Sequence, residues 1–287
     1  MIDGKTRLCG LIGRPVEHTL SPAIHNTLAA DLGQNLVYVP MLVGSDIGSA
    51  VNGAYALNVL GLNVTVPYKN DVIPFLKDID SLAAKIGAVN TLVRIDGGYK
   101  GYNTDILGLK RALDCENIAL TGKTIVIIGA GGAARAVSYL CASEGASRIY
   151  ILNRTSDKAL ELKKDVCAAF PDIHVTAGAL STAGEIPEDD IIALQCTSVG
   201  LFPHVNESPV SGSIFFRKIC FAFDLIYRPD ETMFLGEVRR AGGRTSNGLK
   251  MLLYQGIASY ELWNDVSVDE AEASKIYTML RELVRGQ

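Results

Sequence analysis

The stretch Ile125-Val126-Ile127-Ile128-Gly129-Ala130-Gly131-Gly132-Ala133-Ala134 decides how this chain folds. A continuous run of β-branched residues suits a strand buried on both faces of a sheet. G-x-G-x-x-A follows it directly, and a helical pattern opens at about Ala133. In that setting Gly129 permits a tight turn, Gly131 lets backbone approach a pyrophosphate, and Ala134 lets the helix lie close to the sheet. The first N–H groups of the helix then face the anion. Glycines also serve ordinary turns, so the flanking strand and helix are what make this a dinucleotide-binding segment.

Working outward, the next strand, Arg148 to Leu152, runs into Asn153-Arg154-Thr155. An NAD site usually holds an acid there against the ribose 2′-hydroxyl. Arg154 instead offers a planar cation suited to a 2′-phosphate, with Asn153 and Thr155 as neutral hydrogen-bonding neighbours. NADP is therefore the expected cofactor; the plainer alternative is that Arg154 is a solvated loop residue. A helix over Ser156 to Phe170 and strands near Ile191 to Gln195 and Ala222 to Ile226 complete this series.

An earlier series precedes it. Leu8 to Ile12, Leu36 to Met41, Leu60 to Val66 and Val89 to Arg94 read as strands, and Pro22 to Leu32 and Asp46 to Leu57 as helices. Ser21 is the expected N-cap of the first helix, with Pro22 at its first position. The tail predicts helices over Leu249 to Trp263 and Val268 to Val284, the latter opened by Ser267-Val268-Asp269-Glu270 as a capping box. Strands alternating with helices predict an α/β protein with a parallel sheet. At 287 residues the chain exceeds the usual one-core size, so two domains are expected, with seams near 103 and 246.

Composition narrows the partners. Hydrophobic residues make up 48% and charged residues 20%, ample for a buried core. A net charge of -4 without a dense basic run gives no footprint for nucleic acid. No apolar stretch approaches the roughly 20 residues that cross a bilayer, and the N-terminal residues lack the apolar core of a secretory signal. The cytosol is the expected location and small molecules the expected partners. The six cysteines are scattered, without C-x-x-C or metal-ligand spacing, so no metal is expected. Monomer and homodimer are both open.

Four polar clusters fall at strand or loop ends, where α/β proteins gather ligand groups. In the segment Gly13 to Asn26, Thr19 and Ser21 place two hydroxyls on one side of a loop, suited to a carboxylate. In Asn63-Val64-Thr65-Val66-Pro67-Tyr68-Lys69, Asn63 and Thr65 share a face and Lys69 follows the proline. Gly87-Ala88-Val89-Asn90-Thr91 and Gly101-Tyr102-Asn103-Thr104-Asp105 each put an amide beside a hydroxyl. Lys69 could be a solvated charge and Asp105 a helix cap; together they could be a proton donor and its orienting partner. His18 and His25 are expected to brace their loop.

With these residues in place, the chain resembles the shikimate dehydrogenases over nearly its whole length. The match runs through His18 to Asn26, Asn63 to Lys69, Gly87 to Thr91, Asn103-Thr104-Asp105, the glycine turn, Asn153-Arg154-Thr155, Thr197-Ser198-Val199-Gly200, Asp224-Leu225-Ile226-Tyr227 and Gly248 to Gln255. The resemblance implies a substrate domain over 1–102 rejoined by C-terminal helices over 246–287, and an NADP-binding Rossmann-like domain over 103–245. It implies an enzyme that reduces 3-dehydroshikimate to shikimate with NADPH, a step toward aromatic amino acids, with Lys69 and Asp105 as catalytic residues. Thr19, Ser21, Asn63, Thr65, Asn90, Asp105, Tyr227 and Gln255 would bind substrate. Gly129, Ala130, Gly131, Gly132, Ala133, Ala134, Asn153, Arg154, Thr155, Thr197, Ser198, Leu225, Gly248 and Met251 would bind the cofactor. Two positions depart from the family pattern: Thr19 stands where Ser is usual, and Gln195-Cys196 replaces Asn-Ala. A quinate or shikimate dehydrogenase using NAD, and a non-catalytic shikimate sensor, are the alternatives.

Overall fold

A computed structural model describes residues 2–285. The first sheet is built from β1 (Arg7–Gly13), then α1 (Ser21–Asp31), β2 (Leu36–Leu42), α2 (Ile47–Ala56) and β3 (Gly61–Val64). A 3-10 turn at Ile73–Phe75 leads to β4 (Asp78–Ile79), α3 (Ser81–Ile86), the hairpin of β5 (Thr91–Ile95) and β6 (Gly98–Tyr102), and α4 (Thr104–Cys115). Strand order is β2-β1-β3-β5-β6-β4. β1 runs parallel to β2 and β3, whereas β3 with β5 and β5 with β6 are antiparallel. The sheet is thus mixed rather than parallel throughout. Asp96-Gly97 is too short a link for a crossover and closes a hairpin instead.

Local physics adjusts two boundaries here. Ser21 is not the cap of α1 but its first residue, and Leu20 occupies the cap position without a side-chain acceptor. The Ser21 amide donates to Thr19 Oγ1 at 3.2 Å, so the hydroxyl two residues upstream takes up a helix-end N–H. β3 stops at Val64, earlier than its apolar pattern suggests, because the chain turns from Thr65 to Tyr68 through a cis Val66–Pro67 peptide.

The second sheet carries β7 (Thr124–Ile128), α5 (Gly132–Ser143), β8 (Arg148–Asn153), α6 (Ser156–Ala169), β9 (His174–Ala179), β10 (Ile191–Gln195), α7 (Ser213–Arg217), β11 (Ile219–Asp224), α8 (Met233–Arg240) and β12 (Arg244–Asn247). Its order is β12-β11-β10-β7-β8-β9, and every pairing is parallel. Counted from β7 this is the 3-2-1-4-5-6 order of doubly wound dinucleotide folds, with the reversal between β7 and β10. Val126, Ile128, Ala193, Ala222, Phe215 and Phe234 fill its core.

Two helices close the described chain, α9 (Leu249–Asn264) and α10 (Glu270–Arg285). The cap of α10 is Asp269, whose Oδ1 accepts from Glu272 N at 2.8 Å; the helix starts too late for Ser267 to serve. The chain divides into two compact units, one of residues up to Gly108 with those from Leu252, the other Leu109–Met251. These divisions fall within α4 and α9. In the first unit α9 lies on the sheet through Trp263, whose Nε1 donates to Leu92 O at 2.9 Å. Among the described residues no helix is long and apolar enough to cross a membrane.

Candidate active site

Lys69 follows the turn after β3, and its carbonyl is held by Val89 N at 2.8 Å. Asp105 is the second residue of α4. The cap of that helix is Asn103, whose Oδ1 accepts from Ile106 N at 3.4 Å and whose Nδ2 donates to Ala88 O at 3.0 Å. Asp105 is thereby free of capping duty. Its Oδ2 receives Lys69 Nζ at 2.7 Å, and its Oδ1 receives Asn90 Nδ2 at 2.9 Å. The two charged side chains are 31% and 21% exposed. An exposed ion pair is worth little, but this one is partly sheltered, hydrogen-bonded at both carboxylate oxygens and still reachable by a ligand.

Other predicted substrate residues of the first unit lie in four places. Thr19 and Ser21 come together, with their hydroxyl oxygens 3.1 Å apart. Thr65 packs so close to Gly13 that a methyl there would overlap its Cγ2, which sets the NVTVPYK turn against the end of β1. Asn63 is 4% exposed, with Oδ1 accepting from the Tyr38 hydroxyl at 2.8 Å and Nδ2 donating to Ser259 Oγ at 2.9 Å. Its polar atoms are turned into the protein. Gln255, half-buried on α9, spends its Nε2 on Leu252 O at 2.8 Å.

The histidines do not brace the loop. His18 is exposed, whereas His25 is fully buried, stacked on Tyr38 at 4.2 Å and tilted against Trp263 at 5.0 Å between ring centroids. Burial holds the His25 ring neutral with a pKa of about 3, opposed weakly by the nearby Asn63 side chain. It belongs to the aromatic core.

In the second unit the glycine turn sits at the carboxyl end of β7. Gly129 has φ of +118° and packs on the backbone of Cys196 and the Thr197 methyl, so a side chain would be strained there. Gly131 and Gly132, at the start of α5, face open space in which an added Cβ would meet nothing within 4 Å. Ala133 is exposed beside them and Ala134 is fully buried against the sheet. The first-turn N–H groups and this open cradle fit an anion such as a pyrophosphate. At the end of β8, Arg154 is exposed and forms no ion pair among the described residues, while Asn153 Nδ2 ties back to Thr155 O at 2.9 Å. Gly129 N donates to Leu152 O at 2.7 Å, which joins the ends of β7 and β8.

Buried groups shape the neighbouring turns. Gln195 is fully buried; Nε2 donates to Val199 O at 3.0 Å and Oε1 accepts from Thr197 N. It fixes the Thr197–Ser198 turn. Asp224 ends β11 with no exposure, and burial raises its pKa to about 6 against the pull of the Thr232 hydroxyl, Ile226 N–H and Gln195. Burial likewise raises the pKa of Tyr227, opposed by Arg228. Gly248 approaches Leu225 so closely that a Cβ would fall 2.0 Å from its carbonyl oxygen. Met251 is half-buried.

Known proteins share this arrangement. A family model described as the shikimate dehydrogenase substrate binding domain matches residues 11–92, and one described as shikimate/quinate 5-dehydrogenase matches residues 111–198. A Halothermothrix orenii protein named shikimate dehydrogenase (NADP(+)) is 42% identical over 272 residues, covering 93% of each chain. The chain belongs to the shikimate dehydrogenase family. Among solved structures, Listeria monocytogenes shikimate 5-dehydrogenase in complex with shikimate and NAD is 32% identical with a TM-score of 0.90, covering 97% of this chain and 98% of that one. The Thermus thermophilus shikimate 5-dehydrogenase in complex with NADP(H) and shikimate is 30% identical with a TM-score of 0.83, covering 95% of this chain and 99% of that one.

For a shikimate dehydrogenase family member, the structure also brings in side chains that sequence reasoning passed over. Tyr38 and Ser259 both bond Asn63. Nothing local marks either one. Ser259 lies one helical turn beyond Gln255, and Tyr38 sits within an apolar strand.

Proposed function

We propose that this protein is an enzyme that reversibly reduces 3-dehydroshikimate to shikimate with NADPH, in the route to aromatic amino acids. The observation that carries the reading is the Lys69–Asp105 contact of 2.7 Å, with Asn90 on the other carboxylate oxygen. Ketone reduction needs a hydride on carbon and a proton on oxygen. Bound NADPH supplies the hydride. Lys69 Nζ supplies the proton as negative charge builds on the carbonyl oxygen, and Asp105 keeps the ammonium aimed and returns it to register after each turnover. In the reverse direction Lys69 takes the proton from the alcohol. Thr19 and Ser21 are assigned to the substrate carboxylate, a reading their paired hydroxyls support. Asn90, Thr65, Tyr227 and Gln255 are assigned to its ring hydroxyls.

The first-turn amides of α5 would hold the pyrophosphate, and Arg154 the 2′-phosphate. Thr197, Ser198, Leu225, Gly248 and Met251 are assigned to the nicotinamide end. The residues up to 102 and from 246 onward are assigned to substrate, and 103–245 to NADP. All six cysteines are free thiols, which supports a reducing, cytosolic setting.

The test is steady-state oxidation of shikimate and quinate, each with NADP and NAD, followed by the absorbance of the reduced cofactor. Shikimate with NADP should give the highest kcat/KM by about tenfold or more, and a higher value for quinate or NAD would overturn the assignment. Lys69→Ala should lower kcat at least ~100-fold while NADP affinity is retained. A fully active variant would remove Lys69 from the chemistry.

A further inference from the structure

Behind the Lys69–Asp105 pair lies a layer of buried hydroxyls that no step above uses. Thr91, Thr104 and Ser259 are each wholly buried. Their oxygens form a triangle, 2.8 Å from Thr91 to Ser259, 3.0 Å from Thr91 to Thr104 and 3.1 Å from Thr104 to Ser259. Asn63 Nδ2 donates into it, to Ser259 Oγ at 2.9 Å and Thr91 Oγ1 at 3.1 Å. Buried hydroxyl protons are costly unless each has an acceptor. Two acceptors stand at the triangle's edge. Ser259 Oγ reaches Gln255 O at 2.9 Å, and Thr91 Oγ1 and Thr104 Oγ1 reach Asn90 Oδ1 at 3.1 and 3.2 Å.

We propose, resting on the dehydrogenase reading, that this triangle is a positioning device for the catalytic pair and that Ser259 is its contribution from α9. The orientation of the Asn90 amide links the triangle to the pair. The Thr104 backbone N–H lies 2.7 Å from one amide atom of Asn90, and a donor there demands the oxygen. The Thr91 and Thr104 hydroxyls both lie within donating distance of that same oxygen. Asn90 Nδ2 must therefore face Asp105 Oδ1, at 2.9 Å. The flipped amide would set its NH2 against the Thr104 backbone N–H and its oxygen against a carboxylate. Asp105 thus receives an N–H on one oxygen and the Lys69 ammonium on the other, which fixes the direction in which Lys69 can deliver a proton.

Ser259 closes the arrangement. It takes an N–H from Asn63 and spends its own proton on the Gln255 carbonyl, so it can accept the proton of one threonine hydroxyl while the other donates to Asn90 Oδ1. Without it, Asn63 Nδ2 and a threonine hydroxyl lose an acceptor in a dry site, and the hydroxyl protons that serve Asn90 Oδ1 are no longer fixed in place. Loss of the triangle should slow the chemical step and spare cofactor binding.

The experiment compares Ser259→Ala, Thr104→Val and Thr104→Ser by single-turnover stopped flow of shikimate oxidation, with NADP titration alongside. The single-turnover rate constant does not depend on what fraction of the enzyme is folded, so it separates positioning from mere destabilisation. Ser259→Ala and Thr104→Val should lower that constant about tenfold, the effect of losing roughly one net hydrogen bond. Thr104→Ser, which keeps the hydroxyl, should stay within about twofold, and NADP affinity should be unchanged in all three. Unchanged rate constants in Ser259→Ala and Thr104→Val, or a Thr104→Ser enzyme as slow as Thr104→Val, would overturn the proposal. If Ser259→Ala does not fold, the valine and serine variants at 104 decide it. Wild-type enzyme that fails to oxidise shikimate would overturn the functional reading instead, which is a separate result.

Discussion

Asp224 shows how one side chain can make a fold sensitive to pH. It is wholly buried at the end of β11, accepting from the Thr232 hydroxyl at 2.6 Å and Ile226 N at 3.0 Å. These bonds favour the carboxylate, but desolvation outweighs them and moves the pKa from 3.8 to about 6. The folded state therefore holds the proton more tightly than the unfolded chain. Its contribution to stability is greatest below about pH 4 and is lost as pH rises through about 6, a change of roughly 3 kcal/mol. Asp224→Asn cannot titrate. Relative to wild type, its unfolding free energy should rise by roughly that amount between pH 4 and pH 7 in urea melts, whatever the absolute cost of the substitution. Parallel stability curves for the two proteins would rule out the buried carboxylate as the cause.

The turn between β7 and α5 allows a sharper test of an element, because its glycines serve different ends. Gly129 holds a left-handed φ of +118° against the Cys196 backbone, whereas Gly132 borders open space. Gly129→Ala should cost stability, about 1–3 kcal/mol by urea unfolding, as well as NADP affinity. Gly132→Ala should weaken NADP while leaving the unfolding midpoint nearly unchanged. Equal stability losses would mean that the open cradle is not a ligand space. This turn was readable in the sequence because Ile125 to Ile128 are apolar on both faces and the glycines stand at fixed offsets. The edge strands of the second sheet were not. β12 is Arg244-Thr245-Ser246-Asn247 and β9 begins at His174, and an edge strand needs no apolar run. The Asp96-Gly97 hairpin signal was present and passed over. Within the site, Lys69, Asp105 and Asn90 sat in recognisable polar clusters. Ser259 did not, since it bonds Asn63 across 196 positions of sequence and neighbours on its own helix say nothing of that.

At the scale of the molecule, two units with separate sheets divide the work assigned to them. A ligand that binds only the folded protein stabilises it by mass action, by about 2.7 kcal/mol at a hundred times its Kd. NADP should therefore raise the melting temperature at concentrations where NAD has little effect. Arg154→Ala should erase most of that difference and leave the melting temperature of the free protein unchanged, because its exposed side chain forms no ion pair among the described residues. An NADP shift as large in the variant as in wild type would remove Arg154 from 2′-phosphate recognition.

The bonds that tie α9 to the first sheet, Trp263 to Leu92 and Ser259 to Asn63, also set an order of assembly. Synthesis proceeds from the amino end and domains tend to fold as units. Leu109–Met251 is one uninterrupted stretch, so it can close while the ribosome is still translating. The earlier sheet must wait for the last helices to emerge before its hydroxyl cluster is complete. A nascent chain can thus complete the half assigned to the nucleotide before the residues assigned to proton delivery are locked in place, and early termination would leave the first without the second.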